Sequence, residues 1–208
     1  MNQQEQLYQI LDKIVPSKEL HAKWLNSLSM MENTGARKIS HYEHPVFTNI
    51  TVLKHAAEEA RHAYFLKKQI EKLSPENCPD YSFEYLLAPI ESYQYLQKLD
   101  IATCGYLKKG IGLQDRELMH GAYLLVTYSI EVRADMIYGI YQEILTKYAS
   151  KVNVKSIIAE EEGHLAEMQK MLEQFSPQWK SLSEYICRME NKLFGTWISA
   201  INKELMYN

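Results

Sequence analysis

The sequence has few glycines and prolines, the residues that most often interrupt helices. Eight Gly and six Pro make up about 7 % of the 208 residues, against an average of about 12 %. So few turn-forming residues in a long chain favour long helices over many short strands. The three Cys, at 78, 104 and 187, form no CxxC pair. This disfavours a disulfide framework, a zinc ribbon and a rubredoxin-like iron site.

Long apolar runs and an excess of one charge are also missing. No apolar stretch reaches 18 residues without a charge, and the first residues, MNQQEQ, are polar, so we expect neither a membrane span nor a signal peptide. The formal net charge of −3 disfavours nucleic acid as a partner. With 46 % hydrophobic and 24 % charged residues, the chain has a globular composition. We therefore expect one cytoplasmic domain over residues 1–208.

Apolar periodicity predicts an all-α chain and no convincing strand. The predicted helices cover about residues 3–14, 17–40, 47–73, 114–149, 152–175 and 182–205, with Ser17 as an N-cap. Residues 74–113 form a long connection with helical content of its own. The breaks coincide with prolines, because the residue before a proline disfavours the α region: Pro16, His44-Pro45, Ser74-Pro75, Pro79, Pro89 and Ser176-Pro177.

The lengths of the connections predict the topology. Two short links imply two antiparallel helical hairpins, at about residues 18–75 and 115–177, and the long link lets the chain cross between them. The expected fold is a four-helix bundle with a long crossover that contains helix, and with extra helices at both termini.

An internal repeat relates the two hairpins. A shift of 99 residues places Glu32 on Glu131. A shift of 102 residues superimposes seven identical residues within the 18 positions from 58 to 75: Glu58, Glu59, His62, Lys68, Glu71, Ser74 and Pro75 fall on Glu160, Glu161, His164, Lys170, Glu173, Ser176 and Pro177. An accidental match of amphipathic helices is the alternative. Because the shared residues include polar ones that a core pattern does not require, we expect matching sites in both halves.

The repeated polar residues follow the order Glu, ExxH, Glu, ExxH: Glu32, Glu59, His62, Glu131, Glu161 and His164. Residues i and i+3 share a helix face, so each Glu–His pair can point at one spot. Four carboxylates and two imidazoles suit Fe²⁺ or Mn²⁺, and four negative charges balance two divalent cations. The alternative is a metal-free salt-bridge network, which buries uncompensated charge. A third ExxH, at Glu117 and His120, has no counterpart, and we interpret it as surface charge near a helix start.

This order of motifs resembles the ferritin-like di-iron carboxylate superfamily over about residues 18–175. The segment EEARH at 58–62 is similar to the signature of the di-iron monooxygenases. The resemblance implies a ferritin-like bundle that holds two metal ions with the six residues above. Fe/Fe is the expected pair, and Mn/Fe and Mn/Mn remain alternatives.

The resemblance also implies which residues support the histidine ligands. In those enzymes the acidic residue before the ligand Glu holds the His of the opposite half. By position, Glu58 would support His164 and Glu160 would support His62. Arg61 would carry the arginine role, which the second copy, EEEGH, lacks.

Three further residues lie within one helical turn of the predicted ligands, and no catalytic role is assigned to them. Asp135, at i+4 from Glu131, is a candidate acceptor for a ligand or a partner for an arginine. Tyr128 is a candidate to hydrogen-bond a ligand or to be oxidised, with core packing as the alternative. His55 lies at i−4 from Glu59. Arylamine N-oxygenases, which resemble this family, use an extra His as a seventh ligand; otherwise His55 is a supporting or core residue.

Three functions compete at this stage. The leading hypothesis is an O₂-activating di-iron oxidase or oxygenase that acts on an unidentified small organic substrate. The second is a ferroxidase or iron-handling protein, similar to ferritin or rubrerythrin. The third is a non-catalytic helical bundle that binds a partner. The electron donor is not assigned, and a homodimer is left open.

Overall fold

The computed structural model describes residues 2–43, 46–73 and 78–207, and this part of the chain is all-helical. Helix makes up 83 % of the structure, and the described residues contain no strand. The described α-helices are α1 (Gln3–Ile14), α2 (Lys18–Tyr42), α3 (Ile50–Ile70), α4 (Pro89–Tyr106), α5 (Asp115–Lys147), α6 (Lys155–Phe175) and α7 (Trp179–Tyr207). The all-α prediction is confirmed. None of the described helices combines the length and apolar character needed to cross a membrane.

The helix starts follow polar caps in the sequence. Asn2 and Glu5 form a capping box, in which the Glu5 amide donates to Asn2 Oδ1 at 2.8 Å. Ser17 caps α2, as predicted. Asn49 caps α3, so this helix begins three residues later than expected, whereas α7 begins three residues earlier. The predicted stops at His44-Pro45 and Ser74-Pro75 lie outside the described residues.

The two predicted hairpins are present as antiparallel helix pairs. In α2 and α3, Asn26 accepts from Lys67 Nζ at 2.5 Å, and Ser29 donates to the Ala63 carbonyl at 2.7 Å. Because the contacts move backwards along α3 as they advance along α2, the helices run in opposite directions. In α5 and α6 the same ordering holds, from Gly121 near Phe175 to Gln142 beside Val154.

The hairpins face each other with α3 against α6 and α2 against α5. Lys54 of α3 pairs with Glu167 of α6 at 2.7 Å. Further along α3, Arg61 pairs with Glu160, which comes earlier in α6, so the two helices run in opposite directions. On the other side, His21 of α2 contacts Tyr141 of α5 at 2.5 Å. Both pairs of facing helices are antiparallel, so α3 and α5 run in the same direction. The connection between α3 and α5 must therefore run back along the length of the molecule, and α4 forms most of this connection.

Helix α1 packs at one end of the hairpins, whereas α4 and α7 run along them and contribute to two apolar clusters. Trp197 of α7 stacks on Trp24 of α2 with 5.5 Å between ring centroids, and its Nε1 donates to Ser92 of α4 at 2.8 Å. Four apolar residues of α1 join the same core, including Leu7 and Leu11. This apolar end lies away from the polar residues of the repeat, so the fold has a separate source of stability there.

A buried ion pair joins α5 to α7. Arg133 donates from Nε and Nη2 to the two carboxylate oxygens of Glu190, at 2.8 and 2.7 Å, and its guanidinium lies 4.0 Å from the Phe194 ring centroid. The hydroxyl of Tyr95, on α4, also donates to Glu190. Burial and the Glu190 carboxylate raise the pKa of Tyr95, which keeps this proton in place. The ion pair has good geometry on both sides, and that is the condition under which a buried pair does not destabilise the fold.

We expect Glu190→Ala to lower the free energy of unfolding by about 3–5 kcal/mol, because it leaves the Arg133 charge buried without a partner. Urea unfolding followed by circular dichroism measures this loss. The control is Glu71→Ala, which breaks a 2.6 Å pair with Lys68 in which both side chains are about half exposed. The control should cost less than about 1 kcal/mol, and equal losses in the two variants would contradict the role of the buried pair.

Candidate metal centre

The six predicted ligands converge on one region between the two hairpins. The ligands are Glu32 on α2, Glu59 and His62 on α3, Glu131 on α5, and Glu161 and His164 on α6. All are buried except Glu32, which is partly buried. Each ExxH pair lies on one helix face, and the antiparallel packing of α3 on α6 brings the two faces together. A surface pattern of charge would have left these side chains in solvent.

Within the described residues, two groups of ligand atoms are close enough to hold a metal ion. One consists of Glu59, Glu131, Glu161 and His164, and the other of Glu32, Glu59 and His62, with one atom from each residue within 4.8 Å of the others. Glu59 belongs to both groups. A carboxylate has two oxygens, so Glu59 is placed to serve two adjacent positions at once.

Glu161 has the matching position on the other hairpin. One of its carboxylate oxygens lies 3.1 Å from His62 Nδ1, and the other lies 3.2 Å from His164 Nδ1. The two ExxH glutamates therefore occupy the middle of the cluster. Glu32 and Glu131 lie on the outer sides, so the arrangement retains the approximate two-fold symmetry of the sequence repeat.

Each histidine is held from the opposite hairpin. His164 Nε2 lies 2.7 Å from Glu58 Oε2, and His62 Nε2 lies 2.8 Å from Glu160 Oε2, which are the pairings that the resemblance implies. Arg61 Nη2 donates to Glu160 at 2.5 Å and lies 3.7 Å from Glu58. A carboxylate that accepts from Nε2–H leaves the Nδ1 lone pair free to face inward, towards the carboxylates.

The donor set fits a pair of divalent cations. The buried Nδ1 of His62 makes no hydrogen bond, although it lies close to Glu161. A buried nitrogen without a partner is costly, and a metal ion would bind it. Four carboxylates and two imidazole nitrogens form the oxygen-rich set that Fe²⁺ and Mn²⁺ prefer.

The electrostatics show the cost of this cluster without metal. Burial raises the pKa of Glu59 and of Glu131 well above the usual value, with Glu32 adding to the rise at Glu59 and Glu161 to that at Glu131. Hydrogen bonds to Glu131 and Glu161 outweigh burial at His164 and raise its pKa to about 11. The metal-free cluster thus retains protons at neutral pH, and a metal ion must displace them.

His55 lies beside the cluster, but both of its ring nitrogens are already hydrogen-bonded. Nδ1 contacts the Tyr123 hydroxyl at 2.9 Å, and Nε2 contacts Glu167 at 3.0 Å. It belongs to neither metal-binding group among the described residues. Its ring centroid is 5.1 Å from that of His164. This geometry favours a supporting position for His55 over a seventh ligand.

The other sequence candidates lie apart from the ligands. Asp135 is exposed, because α5 turns this position to solvent, and no hydrogen bond or ion pair joins it to the described residues. It is therefore not placed to accept a hydrogen bond from a ligand. Tyr128 packs edge-on against Trp179, with 6.2 Å between ring centroids, as a core residue would. In the third ExxH, Glu117 is exposed, as expected, but His120 is partly buried and bonds to Tyr42.

Sequence reasoning missed Tyr138, whose buried hydroxyl donates to Glu32 Oε1. Burial and the neighbouring carboxylates of the cluster, Glu32 first, raise the pKa of Tyr138 well above its usual value. The hydroxyl therefore stays protonated and fixes one oxygen of Glu32. Tyr138 lies seven residues after Glu131, on the same face of α5, and this helical spacing was the available signal.

A cavity of about 100 Å³ touches the cluster on one side. Glu32, Glu59 and Glu131 contribute to its wall. Most of the remaining lining is apolar, including Leu28, Met31, Ile39, Leu96, Ile130 and Ile137. The carboxylates thus face an apolar space as well as each other.

We expect the metal-free protein to lose stability as the pH rises from about 7 to about 8.5. An unfolded His is largely deprotonated in this range, whereas folded His164, whose pKa is raised to about 11, keeps its proton, so the free energy of unfolding falls by about 1.4 kcal/mol per pH unit. The depressed pKa of His21, about 4 because of burial, adds no slope above pH 7. Urea unfolding in chelator measures the slope.

The matched measurement uses Mn²⁺ instead of chelator. Metal binding removes the same protons from the folded protein, so the decline with pH should disappear and proton release should be detectable by calorimetry. An identical slope with and without Mn²⁺ would contradict the protonation assigned to the metal-free cluster.

Comparisons with known proteins add no assignment to this centre. No family model, no curated protein and no solved structure matches the chain. A function must therefore be argued from the side chains and their geometry.

Proposed function

We propose that the chain is a non-haem di-iron oxidase or oxygenase with a ferritin-like fold, acting on a small organic substrate. In this fold α2, α3, α5 and α6 make the four-helix bundle, α4 lies in the long crossover, and α1 and α7 are additions. The antiparallel hairpins and the parallel direction of α3 and α5 support this topology.

The observation that carries the proposal is the pair of ligand groups that share Glu59. Two iron ions would be held by Glu32, Glu59, His62, Glu131, Glu161 and His164, and Mn/Fe or Mn/Mn pairs fit the same donors. When bound, the metals would supply activation of O₂, which side chains alone do not provide.

The protein's own residues orient the site and control its protons. Glu58 and Glu160 accept the Nε2 protons of the two histidines, which keeps both Nδ1 atoms directed inward. Arg61 lies over both acceptors and compensates their charge from the rim of the site. Tyr138 holds Glu32 by its hydroxyl proton and limits the motion of that carboxylate.

The apolar cavity supports an organic substrate over iron as the substrate. Three of the candidate ligands face it, and much of the remaining wall consists of Leu, Ile, Val and Met side chains. A path for iron ions would need oxygen ligands along its length, because a cation loses hydration energy in apolar surroundings. Small apolar groups gain free energy in the same space.

We expect the anaerobic protein to bind two Fe²⁺ per chain, and Glu59→Gln to lower this number to one or none, because Glu59 belongs to both groups. Metal analysis after gel filtration measures the stoichiometry. Glu117→Gln is the matched control, since it alters the exposed glutamate of the third ExxH and should leave two ions bound. Two ions bound with unchanged affinity in Glu59→Gln would refute the ligand assignment.

Admission of O₂ separates the oxidase or oxygenase from a ferroxidase. In an oxidase or oxygenase, the two irons stay bound and excess Fe²⁺ is not consumed catalytically. A ferroxidase would oxidise many Fe²⁺ per chain and accumulate ferric iron. Optical spectra and O₂ consumption at a twentyfold excess of Fe²⁺ distinguish these outcomes, and iron turnover would overturn the proposed substrate class.

A further inference from the structure

A second, larger cavity adjoins the one beside the ligands. This outer groove, between α2, α4 and α5, has a volume of about 620 Å³. The outer groove and the inner cavity have four lining residues in common: Lys38, Ile39, Val126 and Thr127. The two spaces are therefore neighbours, and these four side chains lie where the groove meets the inner cavity.

An ion pair lies at the junction of the two spaces. Lys38 Nζ is 2.6 Å from Asp100 Oδ2, and both side chains are about one-third exposed. Asp100 lines only the outer groove, whereas Lys38 lines both spaces. An exposed pair of this kind contributes little to stability, so an incoming anion can replace Asp100 at small cost.

The rest of the groove favours an anion over a cation. Arg37 and His41 line it, both side chains are exposed, and neither forms an ion pair with the described residues. Asp100 is the one acidic residue of the groove lining, and Lys38 neutralises it. The groove thus has uncompensated positive charge close to the Lys38 ammonium, which attracts anions from solution.

We propose that the groove and the inner cavity together bind an amphipathic carboxylic acid. Its carboxylate would take the place of Asp100 on Lys38, and its apolar end would enter the cavity beside the candidate ligands. This proposal names a substrate class and therefore rests on the proposed function. The end of the molecule remote from the acid would then be the part exposed to the metal centre.

The geometry of α2 sets the length of this molecule. Lys38 and Glu32 are six residues apart, which is about 9 Å along a helix. Three bonds of an extended chain cover about 3.8 Å, so about seven bonds span this distance. A cavity of about 150 Å³ accepts a benzene ring, so the inner cavity of about 100 Å³ has room for about four carbons. Octanoate has a suitable length, with the remaining carbons in the groove.

Calorimetric titration with octanoate, octan-1-ol and octylamine tests the proposal. We expect octanoate to bind most tightly. Lys38→Met should weaken octanoate binding about tenfold, and Asp100→Asn should strengthen it about threefold, because a charged hydrogen bond is lost in one variant and a competing carboxylate in the other. Neither substitution should change octan-1-ol affinity by more than about twofold.

The chain offers a matched control pair. Lys147 and Asp12 also lie 2.6 Å apart with similar exposure, but they join α5 to α1 away from both spaces. Lys147→Met and Asp12→Asn should leave octanoate affinity unchanged. Equal effects of the two lysine substitutions would overturn the proposal, and so would tighter binding of octylamine or equal affinities for octanoate and octan-1-ol.

The titrations are carried out on metal-free protein and on anaerobic Mn²⁺-loaded protein. Suppose that octanoate binding depends on Lys38 but the chain fails to bind Mn²⁺ or Fe²⁺ when these are supplied. This result would support the present proposal and refute the proposed function. Binding of two metal ions without a preference for octanoate would refute the present proposal and support the proposed function. The two failures are therefore distinguishable.

Discussion

The hydrogen bonds between each hairpin's glutamate and the other hairpin's histidine are the constraint on which the rest of the structure depends. Glu58 with His164, and Glu160 with His62, fix the register of α3 against α6. Successive residues of a helix point about 100° apart. With residue 58 fixed on the opposite histidine at the rim, residue 59 is therefore directed into the centre. The same two contacts orient both imidazoles, so register, ligand direction and tautomer have one common cause.

The approximate symmetry is broken in a way that gives the centre two different sides. On the α3 and α6 side, Arg61 and the two supporting glutamates close the rim, whereas the second copy has Gly163 in place of the arginine. On the α2 and α5 side, Glu32 is held by Tyr138, and the cavity opens beside Gly35. The polar side holds the histidines, and the apolar side leaves space. Under the proposed function, a substrate would therefore reach the centre from the α2 and α5 side, where it leaves the supporting network intact.

The parts of this architecture that follow from helical spacing could be predicted from the sequence. The ExxH pairs and the repeat lie at regular positions, so helical spacing brings them together, whereas the supporting roles of Glu58 and Glu160 followed from the family resemblance. Asp135 lies at i+4 from Glu131, yet it is exposed. The prediction for Asp135 failed because spacing along one helix does not say which neighbouring element covers that face. Two ion pairs join residues that are far apart in sequence: Glu190 and Arg133 are 57 positions apart, and Lys38 and Asp100 are 62 positions apart. No local periodicity predicts such contacts. Helix starts differed by up to three residues where a cap, such as Asn49, decided the boundary.

The charged centre lies between two apolar clusters along the helices, and burial of these clusters lets the fold tolerate the centre. Trp24, Tyr141 and Trp197 are almost completely buried at one end, where α1 and α7 cover the hairpins. Burial of such side chains contributes about 1.5–3 kcal/mol each, whereas a cluster of buried carboxylates that must hold protons costs free energy. The gain and the cost therefore arise largely in different layers: cross-hairpin hydrogen bonds fix the register, and apolar side chains outside the cluster contribute most of the stabilising burial. The candidate ligands are thus arranged by the fold itself, and under the proposed function the free energy of metal binding would not be consumed in folding the chain.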